Sequence, residues 1–149
     1  MRAGVILDDS FDLQRFVDAQ DRVFETAMAE LRAGRKRTHW MWFIFPQLVG
    51  LGSSPTAMFF AIQSLDEARA YLAHPSLGQR LKQSVEAFLP WAGQRSAEDI
   101  YGTIDALKLR SSLTLFDRAL PNDIFARALE GFFDGEPDER TLALIGGAR

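Results

Sequence analysis

"DLQRFVDAQDRVFETAMAEL", residues 12–31, decides the fold. Leu13, Phe16, Val17, Gln20, Phe24, Ala27 and Leu31 recur at three- and four-residue steps, so they share one stripe of a helix. Asp9 or Ser10 stands where an N-cap belongs, and Arg32 in the last turn complements the helix dipole. Gly34 is the expected left-handed stop.

The same grammar continues downstream. "SPTAMFFAI" (54–62) reads as a short helix with Pro55 in its first turn. In "SLDEARAYLAHP" (64–75), Ser64 and Glu67 have capping-box spacing and Pro75 ends the helix. "SLGQRLKQSVEAFLPWAG" (76–93) is amphipathic through Leu77, Leu81, Val85 and Phe88, and Ser96 caps the short "SAEDIYG". "TIDALKLRSSLTLFDRAL" (103–120) is a long helix ended by Pro121. Two further segments close the chain, with Asn122 and Asp138 as caps. No alternating run is long enough for a pair of strands. The expected fold is all-α: one domain over 1–149, an irregular array of about seven to eight helices, with 1–8 as an N-terminal tail.

Composition narrows the function. The 149 residues are 47% hydrophobic and 25% charged, ordinary for a globular chain long enough to bury a core. With no Cys there is neither a disulfide framework nor a thiolate site, and two His residues are too few for a zinc site without carboxylates. No metal is expected, and no motif names a cofactor. The apolar run at the N-terminus is too short for a signal peptide, and the longest apolar stretch, Trp40 to Phe45, is far below a membrane span. A cytoplasmic protein with no membrane partner is the expectation. Between Glu30 and Asp66 the only charges are Arg32, Arg35, Lys36 and Arg37, so this span carries +4; with a net charge of −3, the remainder carries −7. That balance disfavours nucleic acid as a partner and leaves room for a local anion site. A solvated basic turn at a helix end is the plainer reading of the run.

Three polar constellations stand in apolar company. In the first, Asp105, Lys108 and Ser112 lie on the apolar side of the long helix, opposite a wet face of Arg110, Thr114, Asp117 and Arg118. An Asp and a Lys there are costly to desolvate unless paired, so they are read either as a packing ion pair or as an anion-facing Lys held by its Asp. In the second, Glu67, Tyr71 and His74 share a helix face, although capping and dipole compensation account for Glu67 and His74 without a site. The third is "HWMWFIFPQL" (39–48), where His39 and Gln47 bracket Trp40, Trp42, Phe43 and Phe45. Aromatic walls with a polar mouth suit a pocket, and the loop through Gly50, Gly52, Ser53 and Ser54 is at most a weak phosphate signal.

Together, "RFVDAQ", "HWMWFIFPQLVGLG", "FAIQSLDEARAYLAHPSLGQRL", "DALKLRSSLTLF" and "FFDGEPDERTLALI" resemble a domain-of-unknown-function family of small bacterial and fungal proteins, some of which carry the label "calpastatin". The resemblance runs from about Leu13 to Leu144, with Phe60 where the family pattern has Tyr. It implies a mainly α-helical domain and no particular activity. The expected function is a pocket for a small anionic ligand, nucleotide- or phosphate-bearing. His39, Trp40, Trp42, Gln47, Glu67, Tyr71, His74, Asp105, Lys108 and Ser112 would line it. In a reaction, His39 would be the base, Lys108 the electrostatic stabiliser and Asp105 its holder. The alternative is a protein-interaction module that uses exposed aromatics in 40–60.

Overall fold

The aromatic stretch forms a single helical turn on the core side of a long first helix. The computed structural model describes residues 9–147. In order, the helices are α1 (Gln14–Arg32), α2 (Met41–Ile44), α3 (Pro55–Phe59), α4 (Leu65–Ala73) and α5 (Leu77–Phe88), then a 3-10 turn over Leu89–Trp91. They continue as α6 (Ala97–Tyr101), α7 (Thr103–Ala119), α8 (Ile124–Phe133) and α9 (Glu139–Gly147). The count among the described residues exceeds seven or eight through α2, a single turn in the aromatic stretch where no helix is expected. No strand forms among the described residues; Leu48 and Ile62 make an isolated parallel bridge. The expected tail, 1–8, lies outside the described residues.

Helix α1 buries the predicted stripe through Leu13, Phe16, Gln20, Ala27 and Leu31. Asp9 accepts hydrogen bonds from the N–H groups of Leu13 and Gln14, so it caps α1 from several residues upstream. At the other end, Gly34 N–H bonds Leu31 O and Arg35 N–H bonds Glu30 O, which together satisfy the orphan carbonyls of the last turn. One cap shifts by a residue: Asp123, not Asn122, takes the N-terminus of α8, while Asn122 adopts a left-handed φ of 61°. Asp138 caps α9 as expected, accepting from the N–H of Thr141.

Helix α7 is the hub and packs against α4, α6, α8 and α9. This overturns part of its predicted wet face. Thr114 is buried because α9 begins directly over it: its Oγ donates to Arg110 O and accepts from Asp138 N–H. Residues 111–116 are all buried, while Ile104 and Leu107 in the first half of α7 and Arg118 near its end stay exposed. Aromatic rings link the layers, from Phe16 to Tyr71 at 5.1 Å, on to Phe116 at 5.3 Å and to Phe125 at 5.8 Å.

Helices α4 and α5 meet almost backbone to backbone. A Cβ on Gly78 would lie 2.0 Å from Leu72 O, so the first turn of α5 can seat on α4 only without a side chain there. We expect Gly78→Ala to destabilise the fold by about 1–3 kcal/mol, because a carbonyl cannot yield as a side-chain tip can. Urea denaturation checks this; a change within about 0.5 kcal/mol would contradict the close approach.

Candidate functional site

The site begins with a carboxylate inside the last turn of α1. Glu30 is 8% exposed and accepts four hydrogen bonds. Three come from Arg37 N–H, Thr38 N–H and Thr38 Oγ, and the fourth from Trp40 Nε1 at 2.9 Å. Burial pushes the carboxyl upward, but the Thr38 hydroxyl, the two backbone N–H groups and the indole more than offset it and hold its pKa at about 2. Glu30 thereby folds residues 35–40 around itself. Trp40 is left fully buried, with its N–H satisfied.

That loop delivers Lys36. Its N–H bonds Ile100 O at 2.7 Å, and its Nζ donates to Thr38 O at 2.6 Å and pairs with Asp105 Oδ2 at 2.9 Å. Lys108 lies farther from the same carboxylate, 3.7 Å from Oδ1, with its Nζ 5.6 Å above the Trp42 ring. Asp105 therefore bridges two lysines, and its close partner is Lys36 rather than the expected Lys108. Sequence reasoning had Lys36 only as part of a basic run; Arg32, Arg35 and Arg37 are indeed exposed, and Lys36 alone turns inward.

Between the loop and α7 lies a cleft of about 480 Å³. Lys36, His39, Met41 and Trp42 form one wall, and Tyr101, Gly102, Thr103, Ile104, Asp105 and Lys108 the other. Gly102, at φ 84° and ψ 162°, is the joint between α6 and α7, a conformation only glycine adopts readily. No side chain caps α7, so the N–H groups of Thr103, Ile104 and Asp105 have no partner among the described residues. Tyr101, missed by sequence reasoning, is buried at the base with its hydroxyl unpartnered; burial first and the Asp105 charge second push that phenol's pKa well up.

The structure thus gathers His39, Trp42, Asp105 and Lys108 around one cleft. The other expected residues lie elsewhere. Trp40 belongs to the core, because Glu30 draws its indole inward. Gln47 accepts from Ile62 N–H through its backbone oxygen and borders a narrow crevice with Trp42 and Phe60. Glu67 is buried on Arg15 at 2.9 Å and accepts from Gln63 N–H; the Ser64 side of the capping box forms, but Glu67 does not return the bond. Tyr71 is wholly buried and receives a hydrogen bond from Gln20. The Nδ1 atom of His74 accepts from Ser76 and Leu77 N–H at the start of α5, on the rim of a different hollow with Asp9 and Leu13. Ser112 is buried with no partner for its hydroxyl.

Among the described residues no group of three or more His, Asp or Glu could hold a metal ion, and no helix is long and apolar enough to cross a membrane. A family model described as "Protein of unknown function (DUF1810)" matches residues 10–145. The chain is also similar to the conserved hypothetical protein Rv1873 from Mycobacterium tuberculosis, whose crystal structure shares 52% sequence identity. That match has a TM-score of 0.89 and covers 93% of this chain and 99% of the other. No curated protein matches the chain.

The Glu30 shell carries a pH signature. Because the folded carboxyl titrates at about 2 against an ordinary 4.5, the unfolded chain binds more protons between those values. Its stabilisation is present above about pH 4.5 and is lost as the pH falls through about 2. Glu30→Gln should cost about 2 kcal/mol at neutral pH and flatten the acid loss of stability across that window. Urea midpoints measured from neutral to acid pH decide it; parallel wild-type and variant curves would refute the assignment.

The bridge at Asp105 gives a second expectation. Lys36→Met should cost about 2 kcal/mol, because it strips both the near partner of Asp105 and the bond to Thr38. Lys108→Met should cost under about 1 kcal/mol, since Lys36 still neutralises Asp105. Equal losses, or the reverse order, would contradict the geometry.

Proposed function

The chain belongs to the DUF1810 family, described as of unknown function, and from that premise and the geometry above we propose that it binds a small organic anion in the cleft between residues 36–42 and the start of α7. The observation that carries this reading is convergence. Two lysine ammoniums, three unpartnered N–H groups at the positive end of a 17-residue helix, and a half-buried indole face one concavity. Each alone is common on protein surfaces. Their meeting over a largely apolar floor is the arrangement of a ligand site.

His39 and Lys108 are the groups a reaction in this cleft would use, as base and as electrostatic stabiliser. Among the described residues no hydrogen bond orients the His39 ring, and Thr103 brings the one hydroxyl among the residues of the opposite wall besides the buried Tyr101. Binding, without a named reaction, is therefore the extent of the proposal.

The alternative of a docking module retreats to a small area. Trp40, Met41, Ile44 and Phe45 are core, and the large exposed apolar side chains of the 40–60 segment are Val49, Met58 and Phe59. The last two are the observation in its favour.

A thermal-shift survey of organic anions, cations and neutral compounds tests the reading. Compounds that raise Tm should share an acidic group, and their protection should vanish in Lys108→Met while persisting in Lys82→Met, which lies outside the cleft. Neutral or cationic compounds protecting equally in both variants would reject an anion site.

A further inference from the structure

Four arginines gather on the surface around Trp91. Arg32, Arg35 and Arg37 are exposed and Arg95 is half-buried. Among the described residues none of their guanidiniums has an ion-pair or hydrogen-bond partner. Elsewhere the cations are mostly spent: Arg15, Lys36, Arg69, Arg80, Lys82 and Lys108 each stand within 4.0 Å of a carboxylate. Glu98 and Asp99 of α6 pair with none of the four, and Asp99 is turned to its own cap at Ser96.

One ring brings the group together. Trp91 Nε1 donates to Arg32 O at 3.2 Å, and a Cβ on Gly34 would come within 2.6 Å of the same indole. The Arg95 guanidinium stands over that ring, 5.8 Å from its centroid. Arg32 and Arg35 thus flank the glycine that the half-buried Trp91 covers, and Arg95 lies across the ring. The backbone that presents them is held: Glu30 takes the Arg35 N–H on its carbonyl and the Arg37 N–H on its carboxylate, and Ile100 O takes the Lys36 N–H. Lys36 turns in to Asp105, while Arg35 and Arg37 on either side of it stay in water. A fixed backbone spares a partner the cost of ordering the loop.

Unpaired like charges side by side repel, and an anionic partner relieves that. The size of the partner follows from the charge balance. The net charge is −3, so the four arginines leave −7 on the remainder. A long polyanion or an anionic membrane would run past the patch onto that negative surface. A short anionic segment meets the patch alone. Guanidinium forks match carboxylates with two parallel hydrogen bonds, and Trp with Arg is the pairing that dominates the energetics of protein interfaces.

We propose that this surface docks a short acidic segment of a partner protein, its carboxylates paired with Arg35, Arg37 and Arg95 and an apolar side chain laid against Trp91. The inference stands apart from the cleft and does not depend on the cleft's ligand.

Four probes test it against the full 15N-labelled chain at low ionic strength: a fluorescein-labelled peptide of Glu and Asp around a single Leu, its Gln and Asn analogue, an oligothymidylate longer than the patch, and phosphatidylserine vesicles. The acidic peptide should bind saturably, with a Kd at least tenfold below that of the amide analogue, and should weaken as salt is added. It should shift the Trp91 indole N–H and the amides of Arg35 and Arg37, and leave Gly102, Thr103 and Ile104 in place. Arg35→Gln combined with Arg37→Gln should weaken it at least tenfold with Tm unchanged, because neither guanidinium has a partner to lose. Arg22→Gln combined with Arg118→Gln removes the same charge from α1 and the far end of α7 and should change the affinity less than twofold, as should Lys108→Met.

Equal binding of the amide analogue, shifts confined to the cleft amides, or undiminished affinity in the folded Arg35→Gln, Arg37→Gln chain would overturn the inference. Oligothymidylate or vesicles bound more tightly through the same arginines would overturn the choice of an acidic protein segment. Dimerisation in the ultracentrifuge that the same double variant abolishes would give the patch to a second copy and overturn it equally.

Discussion

A carboxylate buried in the wrong place for a helix holds this architecture together. Glu30 lies in the last turn of α1, where the dipole disfavours negative charge, and it is almost fully removed from water. Four charge-assisted hydrogen bonds reverse that penalty. The same residue's carbonyl accepts Arg35 N–H, so its backbone ends the helix while its side chain winds the next six residues. The indole of Trp40 is drawn into the core by this carboxylate, and Phe45 and Tyr101 pack against it at 6.3 and 6.4 Å. Lys36 is aimed at Ile100 and Asp105 by the same turn, and the cleft exists because of that aim.

Much of the fold was legible because it is written in short-range terms. The stripe of α1, the caps at Ser64, Ser96 and Asp138 and the stops at Gly34 and Pro75 depend on residues within a turn of one another. Apart from the one-residue shift of the α8 cap from Asn122 to Asp123, the differences share a cause: each concerns a partner far along the chain. Thr114 was read as wet because periodicity on α7 cannot know that α9 returns over it. Glu30 stands in the sequence only as the edge of a span without acidic residues, although an acid in a helix's last turn, next to a basic run, is a local conflict that asks for a partner.

The candidate site divides the same way. Lys108 and Asp105 were legible as a polar pair in apolar company, and they do face the His39–Trp42 segment. Which lysine Asp105 prefers was not legible, because Lys36 approaches from a loop 69 residues earlier whose path is set by Glu30. Tyr101 was invisible for another reason: a tyrosine in an apolar helix is unremarkable until its hydroxyl is seen to lack a partner. Glu67, Tyr71 and His74 share a helix face and yet serve three different neighbours, since a shared face becomes a shared site only where the surrounding elements leave space.

Arg15 has a consequence for the environments this fold tolerates. Its guanidinium spends all five N–H donors, on Phe11 O, Asp12 O, Phe59 O, Ala61 O and the Glu67 carboxylate. It thus ties the entrance of α1 to a segment 44 to 52 residues away. Small secreted folds commonly use a cystine for a cross-link of that span, and such a link depends on the redox poise around it. A cysteine-free chain fastened by a planar, permanently charged fork has no such dependence. The tie is indifferent to thiols and oxidants alike, and reducing and oxidising surroundings leave it equally closed.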